Sequence, residues 1–369
     1  MNVPFVDLKI QYKRYKKEID RAIGDTLSES QFIHGKAVGR FEEEFTKYLR
    51  AGHTVALNSG TDALILGFRA LELSQGDEVI VQSNTYIATA LGASENGLKP
   101  VFVDCDPVDY GMNLNDLKRK INSRTKAIIA VHLFGQPEKL DEIRAIIKKS
   151  GRKIHLVEDA CQAHGAKYKG RRVGTFGIFS AFSFYPGKNL GAYGDGGAVV
   201  TGSSALAKKL LRLREYGQKK KYIHVSKGIN SRLDTIQAAI LLAKLPHLDS
   251  WNAQRQELAK YYTKHLEGIV EKTPVYLPNR KSIFHIYAVE VPERDGLIAY
   301  FKKNGVVALI HYPVPLHLSG TYKYLGYKRG DFPNAEHAAS HMVSLPMFPE
   351  LTDKQADAVI RVIKKYYGK

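Results

Sequence analysis

Short apolar segments alternate with stretches of helical periodicity along the first half of the chain. Each apolar segment has the length and composition of a strand, and a helical stretch separates it from the next one. The strand candidates are HTVAL (53–57), DEVIVQS (77–83), KPVFVD (99–104), KAIIAVHL (126–133) and KIHLVED (153–159). Strands separated by helices predict βαβ units and a mainly parallel sheet, which binds its ligands at the carboxyl ends of the strands.

The pattern changes near residue 245. Residues 230–268 predict long helices that are interrupted at Pro246. Two strand-like segments follow, FHIYAVEV and VVALIHY, with the helix RDGLIAYFKKNG between them, and the chain closes on the helix TDKQADAVIRVIKKYY. We therefore predict a large α/β domain over residues 1–245 and a smaller α+β domain over residues 246–369.

The composition is typical of a globular protein, with 44% hydrophobic and 25% charged residues in a chain of 369. No apolar run reaches the roughly 18 residues that a membrane helix needs. The N-terminal segment lacks the apolar core of a signal peptide, so we predict a cytoplasmic protein. Cys105 and Cys161 form no CxxC pair, and no zinc site is predicted from them.

The formal net charge is +18. Three explanations compete: nucleic-acid binding, attraction of a small anionic substrate, and a lysine-rich surface. The basic residues are spread along the chain, with no helix-turn-helix pattern and no basic helix with interleaved aromatics. Nucleic acid is therefore not predicted as a partner, and the other two explanations stay open.

The segment NSGTDAL (58–64) follows the first strand candidate. Gly60 and Thr61 open a predicted helix, and either Ser59 or Thr61 caps it. Free backbone N–H groups at a helix start bind phosphate, but an ordinary cap has the same sequence signature. The chain has no GxxxxGK[ST] motif and no GxGxxG motif after a strand, which disfavours a P-loop and a nicotinamide site.

Asp159 ends the fifth strand candidate and precedes the small residues of ACQAHGA, for which we expect a helix. A carboxylate at the carboxyl end of a strand is either a ligand group or a helix N-cap. Both interpretations stay open when Asp159 is considered alone.

Lys188 lies among aromatic, small and apolar residues in AFSFYPGKNLGAYGDGG (181–197), where Pro186 and Gly187 predict a turn after an apolar strand. Desolvation disfavours a charged ammonium, so the pKa of such a lysine falls and its neutral amine can attack a carbonyl group. The alternative is a lysine whose ammonium reaches water.

Together these residues predict one site. Pyridoxal phosphate needs a lysine for its aldehyde, an acid for its ring nitrogen and a cradle for its phosphate. Lys188, Asp159 and the pair Gly60–Thr61 supply the three parts, and Tyr86 can stack on the ring.

Seven motifs in order then carry a family resemblance from about residue 4 to the C-terminus: NSGTDAL, SNTYIATA, VEDACQAHGA, SAFSFYPGKNLGAYGDGGAV, NSRLDTIQAA, HYPVPLH and SLPMFPEL. The chain resembles the DegT-like family of nucleotide-sugar aminotransferases, and its 216–228 loop resembles that of the 3-keto-sugar enzymes. The resemblance implies the pyridoxal-phosphate-dependent transferase fold of type I, which is like that of aspartate aminotransferase. It also implies a homodimer with active sites at the subunit interface.

The resemblance also implies residue roles. Lys188 would bond the cofactor's aldehyde and shuttle protons. Asp159 would contact the ring nitrogen, Gln162 the ring hydroxyl and Tyr86 the ring face. The phosphate would be bound by Gly60, Thr61, Ser183 and Asn230 of the partner subunit. His311 and Tyr312 would line the sugar side. His34 is either a sugar contact or an exposed loop histidine.

Two further groups have alternative interpretations. The basic loop YGQKKKYIHVSKG (216–228) is either solvated or, through Lys219, Lys221 and Tyr222, a clamp for the substrate's diphosphate. His337 and His341 have a zinc-like spacing, but the HExxH order and a third ligand are absent from their segment. We interpret them as surface or packing histidines, and no metal site is predicted.

The predicted function is transfer of an amino group from L-glutamate to a nucleotide-linked 3-keto-deoxyhexose, dTDP being the expected nucleotide. A 4-keto sugar is the alternative. A sugar dehydratase of the same fold is disfavoured because related dehydratases carry histidine in place of Lys188. A regulatory protein that binds the cofactor without catalysis is disfavoured because the lysine, aspartate and phosphate set is complete.

Overall fold

A seven-stranded sheet lies at the centre of residues 2–368, the part of the chain that this computed structural model describes. The strands, in chain order, are β1 (His53–Leu57), β2 (Glu78–Gln82), β3 (Lys99–Val103), β4 (Thr125–Val131), β5 (His155–Asp159), β6 (Lys167–Tyr168), β7 (Arg171–Arg172), β8 (Phe179–Ser183), β9 (Gly197–Thr201), β10 (Gln218–Lys220), β11 (Ile223–His224), β12 (Arg280–Lys281), β13 (Tyr287–Glu290) and β14 (Met342–Leu345).

The α-helices surround this sheet and build the C-terminal part. They are α1 (Leu8–Glu29), α2 (Lys36–Leu49), α3 (Gly60–Leu71), α4 (Ile87–Ser94), α5 (Leu114–Lys120), α6 (Leu140–Lys149), α7 (Ser204–Leu213), α8 (Thr235–Lys244), α9 (Leu248–Leu266), α10 (Arg294–Lys303), α11 (Pro333–His341) and α12 (Asp353–Tyr366). None of the helices in the described range is long and apolar enough to cross a membrane.

The central sheet has the strand order β1-β9-β8-β5-β4-β2-β3. Five neighbouring strands, from β8 to β3, pair in parallel, whereas β9 pairs antiparallel with both β1 and β8. Strand β1 therefore runs in the same direction as β8, and β9 alone runs the opposite way. The prediction of a mainly parallel α/β sheet is confirmed.

The helix prediction around Pro246 is confirmed, since α8 ends at Lys244 and α9 begins at Leu248, with a 3-10 turn between them. The helix expected for residues 160–166 is wrong. These residues form turns, because Gly165 has a φ of +93° and a Cβ there would lie 2.4 Å from the hydroxyl of Tyr48. Tight packing replaces the expected helix with a compact turn.

The strand expected at residues 306–312 is also wrong. This segment makes only isolated bridges, such as that between Leu309 and Ser344. The antiparallel partner of β13 is instead β14, which begins directly after α11. Residues 306–312 lie outside the sheet, and the last two of them, His311 and Tyr312, line the cavity described below.

Aromatic side chains support the sheet behind strand β8. The ring of Phe182 meets that of Phe45 edge-on at 5.1 Å, and Phe184 meets Phe41 and Phe45 edge-on at 5.1 and 5.4 Å. All four side chains are buried. This packing fixes the end of β8, from which the glycine-rich loop with Lys188 departs.

A separate apolar cluster holds the C-terminal part together, with Tyr262, Tyr287 and Phe301 among its buried members. Val3 belongs to the same cluster, while Tyr322 and Phe332 pack into the core of the central sheet. The division at residues 245 and 246 stays a prediction; its end residues 1 and 369 lie outside the described range.

Candidate active site

A cavity of about 380 Å³ opens at the carboxyl edge of the parallel strands. Segments that follow β1, β2, β4, β5 and β8 line it, as expected for a sheet of this type. Nine of the residues predicted from the sequence meet there: Gly60, Thr61, Tyr86, Asp159, Gln162, Ser183, Lys188, His311 and Tyr312.

Helix α3 begins at this cavity with Ser59 as its N-cap. The Oγ atom of Ser59 accepts a hydrogen bond from the backbone N–H of Asp62 at 3.0 Å, so Ser59 rather than Thr61 caps the helix. As the first helical residues, Gly60 and Thr61 have backbone N–H groups without an intrahelical acceptor. These N–H groups and the hydroxyls of Thr61 and Ser183 form a set of donors suited to a phosphate group.

Close backbone packing requires glycine at this helix start. A Cβ on Gly60 would lie 2.6 Å from the Cβ of Ser183 and 3.0 Å from the Sγ of Cys161. A Cβ on Gly197, the first residue of β9, would lie 2.2 Å from the carbonyl group of Ser59. The start of α3 is therefore pressed against β8 and β9, which brings the phosphate donors beside the loop that carries Lys188.

Lys188 lies in the turn after β8, where its backbone N–H donates to the carbonyl of Tyr185 at 2.9 Å. The loop returns to the strand because the N–H of Ala192 donates to the carbonyl of Phe184 at 2.8 Å. Burial lowers the pKa of Lys188, although the nearby Cys161 and Asp159 raise it in part. Within residues 2–368, no acceptor forms a hydrogen bond with its Nζ atom, so the amine is available to a ligand.

Neutral histidines surround this amine. Burial and the charge of Lys188 lower the pKa of His311 to about 4 and that of His164 to about 3, and they also lower the pKa of His285. At neutral pH these imidazoles carry no charge, so the environment of Lys188 contains no competing cation from them.

A buried lysine, Lys244, supports the Lys188 loop from behind. The Nζ atom of Lys244, on α8, donates to the carbonyl of Gly191 at 2.8 Å and lies 4.1 Å from the ring centre of Tyr193. Burial lowers the pKa of Lys244 to about 7. No local sequence pattern indicates this contact, because the two segments are distant along the chain.

Asp159 is buried at the end of β5, where its Oδ2 accepts a hydrogen bond from the hydroxyl of Thr89 at 2.7 Å. Its Oδ1 accepts from the backbone N–H of Cys161 at 3.1 Å. No helix follows Asp159, so the helix N-cap interpretation is wrong. Thr89, on the inward face of α4, orients this carboxylate, and no local sequence pattern had predicted its role.

Two tyrosines and a glutamine form one wall of the cavity. The Nε2 of Gln162 donates to the hydroxyl of Tyr312 at 3.0 Å, while its Oε1 accepts from the backbone N–H of Phe134 at 2.7 Å. The ring of Tyr86 packs against that of Tyr312 at 5.4 Å, and burial raises the pKa of Tyr312. Tyr86 remains half exposed, so one of its faces is open to a ligand.

The remaining predicted residues lie outside this cavity. Lys219, Lys221 and Tyr222 belong to the exposed hairpin of β10 and β11, and the side chain of Tyr222 is 81% exposed. His34 makes an ion-pair contact with Glu215 at 2.7 Å rather than with the cavity residues. Asn230 is exposed and its backbone pairs with that of Glu215. The three groups meet around Glu215, to which the hairpin is joined by the N–H of Gln218, and none of them lines the cavity of its own chain.

The cavity residues fit pyridoxal phosphate. The donors at the start of α3 suit its phosphate, the buried carboxylate of Asp159 suits a protonated ring nitrogen, and the unpaired amine of Lys188 suits its aldehyde. Gly60 permits the close packing of the helix start against Ser183, which brings these donors together.

Comparisons with known proteins agree with this fit. The model of the DegT/DnrJ/EryC1/StrS aminotransferase family matches residues 13–364. A pleiotropic regulatory protein of Geobacillus stearothermophilus is 44% identical over 100% of this chain and 99% of its own length. The dTDP-3-amino-3,4,6-trideoxy-alpha-D-glucose transaminase of Streptomyces venezuelae is 44% identical over 99% of this chain and 96% of its own length.

Solved structures confirm the fold and the cofactor. The Streptomyces venezuelae protein DesV, solved in complex with a ketimine intermediate, has a TM-score of 0.96 and 44% identity, and the match covers 100% of this chain and 99% of that one. A sugar aminotransferase from Streptococcus pneumoniae in its PLP form has a TM-score of 0.90 and 27% identity, covering 95% of this chain and 96% of that one. The resemblance, the predicted transferase fold and the predicted cofactor are thereby confirmed.

We expect Gly60→Ala to weaken the binding of pyridoxal phosphate, because the added methyl group must displace Ser183 or the start of α3. Overpacking of this kind costs about 1–3 kcal/mol of stability. Where this cost falls on the cofactor-bound state, it raises Kd by about 5- to 150-fold. Titration of the cofactor-free protein, followed by absorbance, measures the change. Gly24→Ala is the matched control, since a Cβ there meets no atom within 4 Å. Equal affinity of the Gly60 variant and the parent would contradict the proposed phosphate cradle.

Proposed function

We propose that this chain, which belongs to the DegT/DnrJ/EryC1/StrS aminotransferase family, transfers an amino group from L-glutamate to a nucleotide-linked 3-keto-deoxyhexose. The observation that carries the proposal is the half-buried, unpaired amine of Lys188. It lies in one cavity with the carboxylate of Asp159 and the free donors of α3. The activity of the similar Streptomyces venezuelae transaminase supports a 3-amino-sugar product and dTDP as the nucleotide.

When bound, pyridoxal phosphate withdraws electrons from the carbon that loses or gains a proton. Asp159 would keep the ring nitrogen protonated, and Thr89 holds the Asp159 carboxylate in place. Gly60, Thr61 and Ser183 would bind the phosphate.

Lys188 would hold the cofactor through its Nζ atom. Once the amino donor has released it, this amine would act as the base that moves the proton of the donor's α-carbon, and it would return a proton to the sugar carbon when the keto sugar is bound. Over both half-reactions the nitrogen would leave glutamate, which becomes 2-oxoglutarate, and end on the sugar. The lowered pKa of Lys188 suits this proton transfer because the amine is neutral nearer to physiological pH.

The sugar side of the cavity is assigned to His311 and Tyr312. His311 is held by Ser344, with 2.8 Å between its Nδ1 and the serine Oγ, and its ring stacks on Phe5 at 5.8 Å. Because its imidazole is neutral, His311 offers the substrate a hydrogen bond rather than a charge. The 3-keto position is preferred to the 4-keto position on the resemblance of the 216–228 loop.

Two other functions compete with this one. A sugar dehydratase is disfavoured by Lys188 itself, because related dehydratases carry histidine at this position. The Geobacillus stearothermophilus relative is named as a regulatory protein, and a regulatory role is compatible with catalysis in the same chain. A protein that bound the cofactor without catalysis would not need an unpaired amine beside a buried carboxylate.

We also propose a homodimer that shares its active sites. His34, Asn230 and the hairpin of β10 and β11 lie outside their own chain's cavity, and they belong to an exposed surface with Phe32 and Ile33. In a dimer, Asn230 of the partner subunit would reach the phosphate, and the partner's hairpin would reach the substrate. The cytoplasmic location and the division into domains at residues 245 and 246 stay predictions.

We expect Lys188→Ala to abolish turnover while the protein stays folded and binds pyridoxal phosphate without a covalent bond. The activity is measured with glutamate and a panel of dTDP-linked 3-keto and 4-keto sugars. Borohydride reduction followed by mass spectrometry detects the covalent cofactor in the parent and its absence in the variant. Lys126→Ala, at a half-buried site on β4 that does not line the cavity, is the control. Parental turnover in the Lys188 variant would refute the mechanism, whereas activity of the parent only on 4-keto sugars would correct the substrate alone.

We expect the double variant Lys219→Ala/Lys221→Ala to raise KM for the sugar nucleotide and to leave KM for glutamate unchanged. Exposed charge pairs contribute about 0.2–1 kcal/mol each, so losing two should raise KM by about 2- to 30-fold. The increase should shrink at high salt, because screening already weakens the parental contacts. Lys148→Ala/Lys149→Ala, at the exposed end of α6, is the matched control. Equal effects on both substrates would contradict a diphosphate clamp.

We expect Lys188→Ala and Asn230→Asp to complement each other in mixed dimers. Each homodimer should be inactive, the second because a carboxylate would repel the cofactor's phosphate. In a shared site, the mixed dimer combines one intact Lys188 with one intact Asn230, so random mixing restores about a quarter of the parental activity. Co-expression with two affinity tags isolates this species. Failure of the purified mixed dimer to turn over would contradict the shared site.

A further inference from the structure

Two histidines and a glutamate meet on the surface of the C-terminal part. His337 and His341 lie four residues apart on α11, so their rings share one helix face, 3.9 Å apart and inclined by 17°. Glu271, which follows α9 in the chain, brings its carboxylate to the same place. One ligand-capable atom of each residue lies within 4.8 Å of the other two. The tertiary fold therefore supplies Glu271 as the third ligand, which helix α11 alone lacks.

The hydrogen bonds of His341 prepare it to bind a metal ion. Its Nδ1 lies 3.0 Å from the carbonyl oxygen of His337. A carbonyl only accepts hydrogen bonds, so Nδ1 carries the proton and Nε2 keeps its lone pair. Metal-ligating histidines usually donate their other N–H in this way, which fixes the tautomer and the ring orientation.

The three residues are attached to one small sheet. Strand β14 begins at Met342, directly after His341, and pairs with β13. The backbone N–H of Glu271 donates to the carbonyl of Glu290, the last residue of β13, at 3.0 Å. The spacing of the three ligands is therefore set by backbone pairing rather than by flexible loops.

A second carboxylate stands beside this cluster. The Oε2 atom of Glu290 lies 3.7 Å from the Nε2 of His337, which is too far for a hydrogen bond. Two ligands of a tetrahedral zinc ion, each about 2.0–2.1 Å from the metal, lie roughly 3.4 Å apart. Glu290 is also held from behind, because the hydroxyl of Tyr110 donates to its Oε1 at 2.8 Å.

The local charge favours a cation. With neutral histidines, the carboxylates of Glu271 and Glu290 contribute −2, and Lys272, whose Nζ lies 4.0 Å from Glu290, contributes +1, which gives −1. Imidazole nitrogens combined with carboxylates suit zinc and its neighbours in the first transition series better than magnesium or calcium.

We propose that Glu271, His337 and His341 form a binding site for a divalent transition-metal ion, with Glu290 next to the fourth position. The site is distinct from the active-site cavity. Its ion would clamp α11 onto the β13–β14 sheet, while the opposite face of α11, through Ala335 and Ala339, lines a small cavity together with Tyr312.

Titration of Zn²⁺ into the holoenzyme by isothermal calorimetry tests the site. The parent should bind one more ion per chain than His337→Ala/His341→Ala, and zinc should raise the melting temperature of the parent but not of this variant. Loss of an outer-shell partner weakens metal binding by about 10–100-fold. Glu271→Gln removes a direct ligand, so it should weaken zinc binding by more than this. If the double variant does not fold, the zinc affinity of Glu271→Gln provides the test.

His265→Ala is the matched control. The Nδ1 of His265 on α9 donates to the carbonyl of Tyr261 at 2.9 Å and its ring packs on that tyrosine at 4.2 Å, so the helical geometry is the same but the second histidine is missing. This variant should bind zinc as the parent does. Equal zinc binding by the parent and Glu271→Gln, or no binding by the parent at about 1 mM zinc, would overturn the proposal.

Discussion

The candidate site depends on the close approach of the helix α3 start to strands β8 and β9. Gly60 and Gly197 have no side chains, so the backbone at Ser59 packs directly against both strands. This contact places free N–H donors, which favour a phosphate, beside the loop of Lys188. Side chains at either glycine would separate the two halves of the cofactor site. The chemistry of the site therefore depends on this packing contact, because the phosphate donors and Lys188 can act together only when the start of α3 lies this close to β8 and β9.

A buried polar network fixes the other side of the site. Burial alone would raise the pKa of Glu158, but His132 and the backbone N–H groups of Gly174 and Gly177 hold it below its ordinary value. The Nδ1 of His132 accepts from the backbone N–H of Glu138 at 3.0 Å, so its Nε2 donates to Glu158. Each polar atom of this pair has its partner, which makes the end of β5 rigid. Asp159, the next residue, therefore presents its carboxylate from a fixed backbone.

The sequence predicted the parts of the fold that follow from local patterns. Alternation of apolar strands with amphipathic helices was sufficient for the mainly parallel sheet, and the break at Pro246 was visible as a proline between two helical stretches. Prediction from the sequence failed where tertiary packing overrides the local preference for helix or strand. The turns of residues 160–166 and the departure of residues 306–312 from the sheet depend on contacts with distant side chains, such as that between Gly165 and Tyr48.

The sequence by itself determined which chemistry the chain carries, because Lys188, Asp159 and the Gly60–Thr61 turn each have a local signature of strand end, loop or helix start. The sequence alone also allowed an ordinary structural role for each of them: a helix cap for Asp159 and for the Gly60–Thr61 turn, and an ammonium that reaches water for Lys188. Only the tertiary structure brought them into one cavity, removed the helix that Asp159 would have capped, and joined Glu271 to His337 and His341. The physical reason is that desolvation, orientation and ligand geometry depend on distances between segments that are far apart along the chain, and a local pattern contains no such distance.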